Sequence, residues 1–195
     1  MAEKTRKLAP ATLLILLAVA SFAAAAITIT NITEWHVYAK TPPIVKVDGK
    51  QKGYDYGDYV TVDTYYAEDG TNRTVISVLG FTGDPVKYDN VLFICNEDYQ
   101  GYTYYVQLVY KGLLHDTDWT YVQYIKLYFP DETNMLSIDG STTGTPSTAP
   151  RAISSGACEP VSVEVLVKPN AYTAGKADGS TRLIAIQVDV VAIKP

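Results

Sequence analysis

Clean alternation of apolar and polar positions marks the C-terminal half of this chain. In residues 161–167, VSVEVLV, Val161, Val163, Val165 and Val167 share one face while Ser162 and Glu164 share the other. That period of two is the mark of a strand with one face buried. Residues 181–194 repeat it, with Ile184, Ile186, Val188 and Val190 facing one way and Gln187 and Asp189 the other. Residues 59–66, YVTVDTYY, put Val60, Val62 and Thr64 on one face; Asp69-Gly70 then marks a tight turn and residues 73–79 return, so the two segments read as a hairpin. A short strand at 44–47 ends at Asp48-Gly49. Residues 90–95, NVLFIC, are continuously apolar and read as a central strand buried on both faces. Residues 101–111 and 119–129 form long tyrosine-rich strands, and 135–138 a further short one. Residues 80–89 and 169–180 read as loops, and 140–156, rich in Ser, Thr, Gly, Pro and Ala, as a long loop or disordered excursion. About nine or ten strands, with no mature helix and no internal repeat, predict an all-β fold, a β-sandwich of jelly-roll type.

The N-terminal 26 residues follow a different rule. Lys4, Arg6 and Lys7 precede the apolar run LLILLAV at 13–19, and the alanines at 23–26 supply small-residue cleavage sites, the three parts of an export signal. Cleavage after Ala23 and cleavage after Ala26 both fit. The competing reading is a retained anchor, since residues 8–27 approach the roughly 20 apolar residues that span a bilayer. Export and cleavage leave no stable membrane anchor. They also leave an arm, residues 27–41, ahead of a body at 42–195. In the arm Ile27 and Ile29 alternate with Thr28 and Thr30, four β-branched residues that favour extended backbone. Thr41-Pro42-Pro43 then interrupts the ladder and forms a stiff joint. An N-terminal strand without a hairpin partner beside it can add to an open sheet edge on another copy.

Composition narrows the function more than it specifies it. The formal charge is −5, and loss of the signal makes it more negative by two, so nothing favours nucleic acid or an anionic membrane surface as partner. Tyrosine is unusually abundant, 16 residues against 4 Phe and 2 Trp, which suits half-exposed sheet faces and broad contact surfaces. Cys95 and Cys158 allow one intramolecular disulfide in an exported chain; two buried thiols are the other reading. His36 and His115 stand alone, without an HExxH helix, a CxxC pair, a GxSxG elbow or a phosphate-cradling glycine loop, so no enzyme and no cofactor are expected. Asp55, Asp58 and Asp63, and again Asp116 and Asp118, offer oxygen ligands of the kind Ca²⁺ takes, though not at EF-hand spacing; ordinary turn chemistry is the alternative. Asn31-Ile32-Thr33 and Asn72-Arg73-Thr74 are glycosylation sequons. On a regular strand Asn31 shares a face with Ile29, so it cannot be both inserted in a groove and glycosylated.

The export signal ending at 23–26, the ITIT alternation after it, the Pro42-Pro43 break and the all-β body together resemble the TasA/camelysin-like filament subunits, in particular the archaeal bundling pili. The resemblance implies a secreted structural subunit that polymerises with copies of itself by donor-strand exchange. Ile27, Ile29 and Ile32 would then be the donor residues, and lateral contacts between fibres would build a bundle or a biofilm matrix. One branch of that group was named as a metallopeptidase. Paired histidine ligands are missing here, and that activity is not carried over. Two other classes fit the same residues. One is a type IV pilin-like subunit keeping residues 8–27 as a packed helix; the other is a monomeric carbohydrate-binding or adhesin module with exposed Tyr and Trp as stacking platforms.

Overall fold

In the computed structural model, residues 42–66, 72–115 and 117–194 are described, and their regular structure is nearly all antiparallel β. The strands are β1 (Ile44–Asp48), β2 (Val60–Tyr66), β3 (Asn72–Val78), β4 (Pro85–Asn96), β5 (Tyr104–Leu113), β6 (Val122–Tyr128), β7 (Met135–Asp139), β8 (Arg151–Ile153), β9 (Cys158–Val167) and β10 (Ile186–Ile193). They form a five-stranded sheet in the order β1-β4-β9-β6-β7, a three-stranded sheet β10-β5-β8, and the hairpin β2-β3. Three short helical turns among the described residues interrupt the all-β body that the sequence predicts: 3-10 turns at Gly49–Lys52 and Gly57–Tyr59, and α1 (Asn170–Thr173), a single turn that follows β9.

The valine alternation of β9 explains its central place. Val161, Val163, Val165 and Val167 are buried, while Glu164 and Leu166 on the opposite face are only partly covered. These valines join residues of both larger sheets, such as Ile94, Val106, Ile138 and Ile153, in one continuous core. Phe129, fully buried at the end of β6, belongs to the same core. Val60 and Val62 of β2, with Ile76 and Val78 of β3, pack against it from the hairpin. Full burial of such side chains contributes roughly 1.5–3 kcal/mol each.

Four segments depart from the sequence reading. Residues 80–89 are not loop throughout: β4 begins at Pro85 because Val86 and Tyr88 pair with Val165 and Val163 and reach the core. The apolar run at 90–95 is only its second half. Between the halves lies a bulge in which Asp89, Asn90 and Val91 stand opposite Ser162 alone, with Asn90 in the left-handed region at φ 56°. Gly49 makes room for it, since a Cβ there would collide with the Asn90 carbonyl. The second departure is 140–156, which contains β8 and a strap hydrogen-bonded to β5. Third, β5 and β6 start later than their tyrosine-rich segments, at Tyr104 and Val122. Fourth, the last strand begins at Ile186. Thr181 is instead held in a turn where Asp178 accepts the amides of Ser180 and Thr181, bonds that hold the Asp178 carboxyl well below the usual carboxylate range.

Cys95 and Cys158 face each other in register across β4 and β9 and are joined by a disulfide. This pairing is the one the sequence allowed, and it indicates a non-reducing environment.

Candidate functional site

Strand β5 carries the contrast from which a candidate site emerges. Its inward residues Val106, Leu108 and Tyr110 are 0%, 2% and 5% exposed. Opposite them on β10 stand Ala192, Val190 and Val188. Val188 and Val190, with Ile186, also pack on the core, yet all three stay only partly covered. The cause is position. Strand β5 is flanked on both sides, whereas β10 has a strand partner on one side only among the described residues. A strand at a sheet border leaves every second N–H and C=O pointing away from its partner, which makes it a template for another strand.

The far side of β5 is closed. β8 pairs with Tyr104, Tyr105 and Val106, and beyond it the strap continues the ladder: Tyr110 donates to the Pro146 carbonyl and Thr148 to the Leu108 carbonyl. Thr148 Oγ1 accepts the Leu108 amide at 3.0 Å while the side chain is 2% exposed. Backbone groups that would face water there are satisfied within the chain.

The five-stranded sheet has two borders, β1 and β7. Ile44 packs on the core, and Lys46 stands on the same face opposite Ile94. Desolvation lowers the Lys46 pKa, partly offset by the Asp189 carboxylate of β10. An inward-pointing lysine on a border strand is a device that blunts edge pairing, and it sits on β1, not on β10.

The predicted donor residues Ile27, Ile29 and Ile32, the sequon Asn31 and His36 lie outside the described residues, as does Asp116. Asn72 begins β3 opposite Tyr66. His115 occupies an exposed turn at φ 57°. Asp55 accepts the Gly57 amide and Asp118 the Thr120 amide, both in local turns. The Gly57 amide above all lowers the Asp55 carboxyl pKa, and the Thr120 side chain, ahead of its amide, lowers that of Asp118. Among the described residues no group of three or more His, Cys, Asp or Glu side chains is placed to hold a metal ion. The β10 residues were visible in the sequence as an alternating strand. Their border position was not, because strand order depends on pairings between distant segments.

Among the described residues no helix is long and apolar enough to cross a membrane. No protein-family model matches this chain, and no curated protein matches it either.

Proposed function

We propose that this chain is the structural subunit of an extracellular filament, in which the N-terminal arm of one copy adds as a strand to β10 of the next. The observation that carries this reading is β10 itself: eight residues long, apolar on its inner face, incompletely covered and bordered by a strand on one side only among the described residues. The arm suits it in length and chemistry. Residues 27–33 span about 23 Å when extended at about 3.3 Å per residue, one strand's worth. Burying Ile27 and Ile29 would stabilise the joint by roughly 1.5–3 kcal/mol each. The incoming ladder would also satisfy the outward backbone groups of β10.

In this reading the two larger sheets form a jelly-roll-type sandwich whose missing border strand comes from a neighbour. Such a contact is heterologous, and unless its rotation closes a ring it propagates as a fibre. Side chains of the tyrosine-rich outer faces then serve lateral bundling, and the chain carries no catalytic duty. Expressed without residues 1–26, the unmodified chain is compared with an Ile27→Asp/Ile29→Asp variant by electron microscopy and sedimentation. Fibres from the unmodified chain, and a folded β-rich monomer from the variant, are the expected results. Absence of polymer from the unmodified chain, or equal polymerisation by the variant, overturns the reading.

A further inference from the structure

The outer face of the five-stranded sheet holds a cleft of about 400 Å³, within the roughly 300–1,000 Å³ of small-molecule sites. Its walls include Tyr54, Tyr56 and Tyr128, and Asp89, Asn90 and Ser162 supply polar groups. The β4 bulge builds it. Two extra residues push Asp89 and Asn90 out of the sheet plane opposite Ser162, and the Asn90 amide donates to Ser162 Oγ at 3.1 Å. Tyr56 fastens the same loop from outside, its hydroxyl donating to the Asp89 carbonyl at 2.8 Å and accepting the Asp89 amide at 3.0 Å. Bulges of this kind re-aim side chains next to binding sites.

The electrostatics select the ligand class. Lys87 lies 2.6 Å from Glu132 and 3.2 Å from Asp89, with its ammonium 4.9 Å from the centre of the Tyr128 ring. Its pKa is raised, chiefly by Glu132. One cation against two carboxylates leaves the cleft with a net negative charge, so an anionic ligand is disfavoured. What remains is the partly exposed ring of Tyr54, with the half-buried Tyr56 beside it, next to a carboxylate, an amide-bearing residue and a hydroxyl, while Tyr128 is 5% exposed beneath Lys87. A pyranose ring presents the complement, an apolar C–H face and a rim of hydroxyls that donate and accept. Tyr54, whose side chain is 41% exposed, gives the most accessible of these faces.

We infer that this cleft binds a neutral saccharide ring. Nothing in the inference depends on polymerisation, because the cleft is built within one chain. Glucose, cellobiose and N-acetylglucosamine are titrated into isotopically labelled protein lacking residues 1–26, followed by amide chemical shifts and calorimetry. At least one of these sugars is expected to shift Gly49, Asn90 and Ser162 together, with a dissociation constant on the order of 1 mM, as befits a shallow, wet site. Tyr54→Ala and, separately, Asp89→Ala weaken it about tenfold while leaving the remaining spectrum in place. Tyr172→Ala, on a ring 73% exposed and outside the cleft, changes nothing. The inference is overturned if none of the three sugars moves those amides at about fifty times that concentration. Unchanged binding by Tyr54→Ala, or tighter binding of glucuronate than of glucose, overturns it equally.

Discussion

On one flank of β5 the chain lays down β8 and the strap through Thr148; on the other it lays down β10, with no further strand beside it among the described residues. The first flank ends in buried side chains and internally satisfied amides, with Ile153 1% and Thr148 2% exposed. The second ends in Ile186, Val188 and Val190, half-covered on the core side. Both flanks belong to one sheet and share one central strand, so the difference is not one of fold quality. It shows that this sequence covers the first flank of β5 with a three-residue strand, a buried threonine and a proline-bounded strap, while β8 itself, like β10, has a strand partner on one side only among the described residues. Among the described residues β10 keeps a strand partner on one side only, and that border is where an added strand has something to gain.

Substitutions on the two flanks should separate stability from assembly. Ile153→Ala, on the closed flank, removes a fully packed side chain and should lower unfolding free energy by about 2–5 kcal/mol in a denaturant titration. Thr148→Val strips the acceptor from the buried Leu108 amide and should cost about 1–3 kcal/mol by the same measurement. Val190→Ala, on the open flank, should cost only about 1 kcal/mol, because its side chain is already partly wet. Its main effect should be on fibre yield at equal protein concentration. If Val190→Ala costs as much as Ile153→Ala, the open flank is an ordinary core border and the contrast collapses.

Hydrogen exchange sharpens the same contrast without mutation. In the monomer the β5 amides bonded to β8 and the strap should exchange slowly, and alternate amides of β10 fast; on assembly the β10 set should become protected. The smallest effect lies on neither flank. Glu164 Oε1 accepts from Lys126 at 2.8 Å and from Tyr124 at 2.7 Å, and Lys126 above all holds its carboxyl below the usual glutamate value. A depressed folded pKa contributes stability that is present above the unfolded value of 4.5 and lost as pH falls through the folded one. Glu164→Gln should flatten that acid-side loss by less than about 1 kcal/mol, seen as a smaller drop in melting temperature on acidification.

The contrast also marks how far the sequence could be read. The valines of β9 and the isoleucine–valine alternation of β10 were legible because one buried face imposes a period of two. The hairpin β2-β3 was legible because Asp69-Gly70 names its turn. The first half of β4 was hidden: Lys87, Asp89 and Asn90 interrupt the apolar pattern, and only the bulge reconciles them with a strand. The strap was hidden by its composition, since its order comes from hydrogen bonds to β5 and not from apolar side chains. The cleft could not be foreseen at all, because Tyr54, Asp89, Tyr128 and Ser162 meet only through the order of the sheet and a bulge that shifts its register.

The disulfide has a mechanical side. Any pull reaching the body through the chain before Ile44 loads β1 at its first residues, where Ile44 faces Asn96 and Val45 faces Cys95. Antiparallel strands loaded at one end peel like a zip, one pair at a time. The covalent tie lies one strand further in: Cys95 of β4 is joined to Cys158 of β9, so β1 can peel while β4 and β9 stay together. The disulfide thus guards the centre of the sheet and leaves its border strand the first to yield.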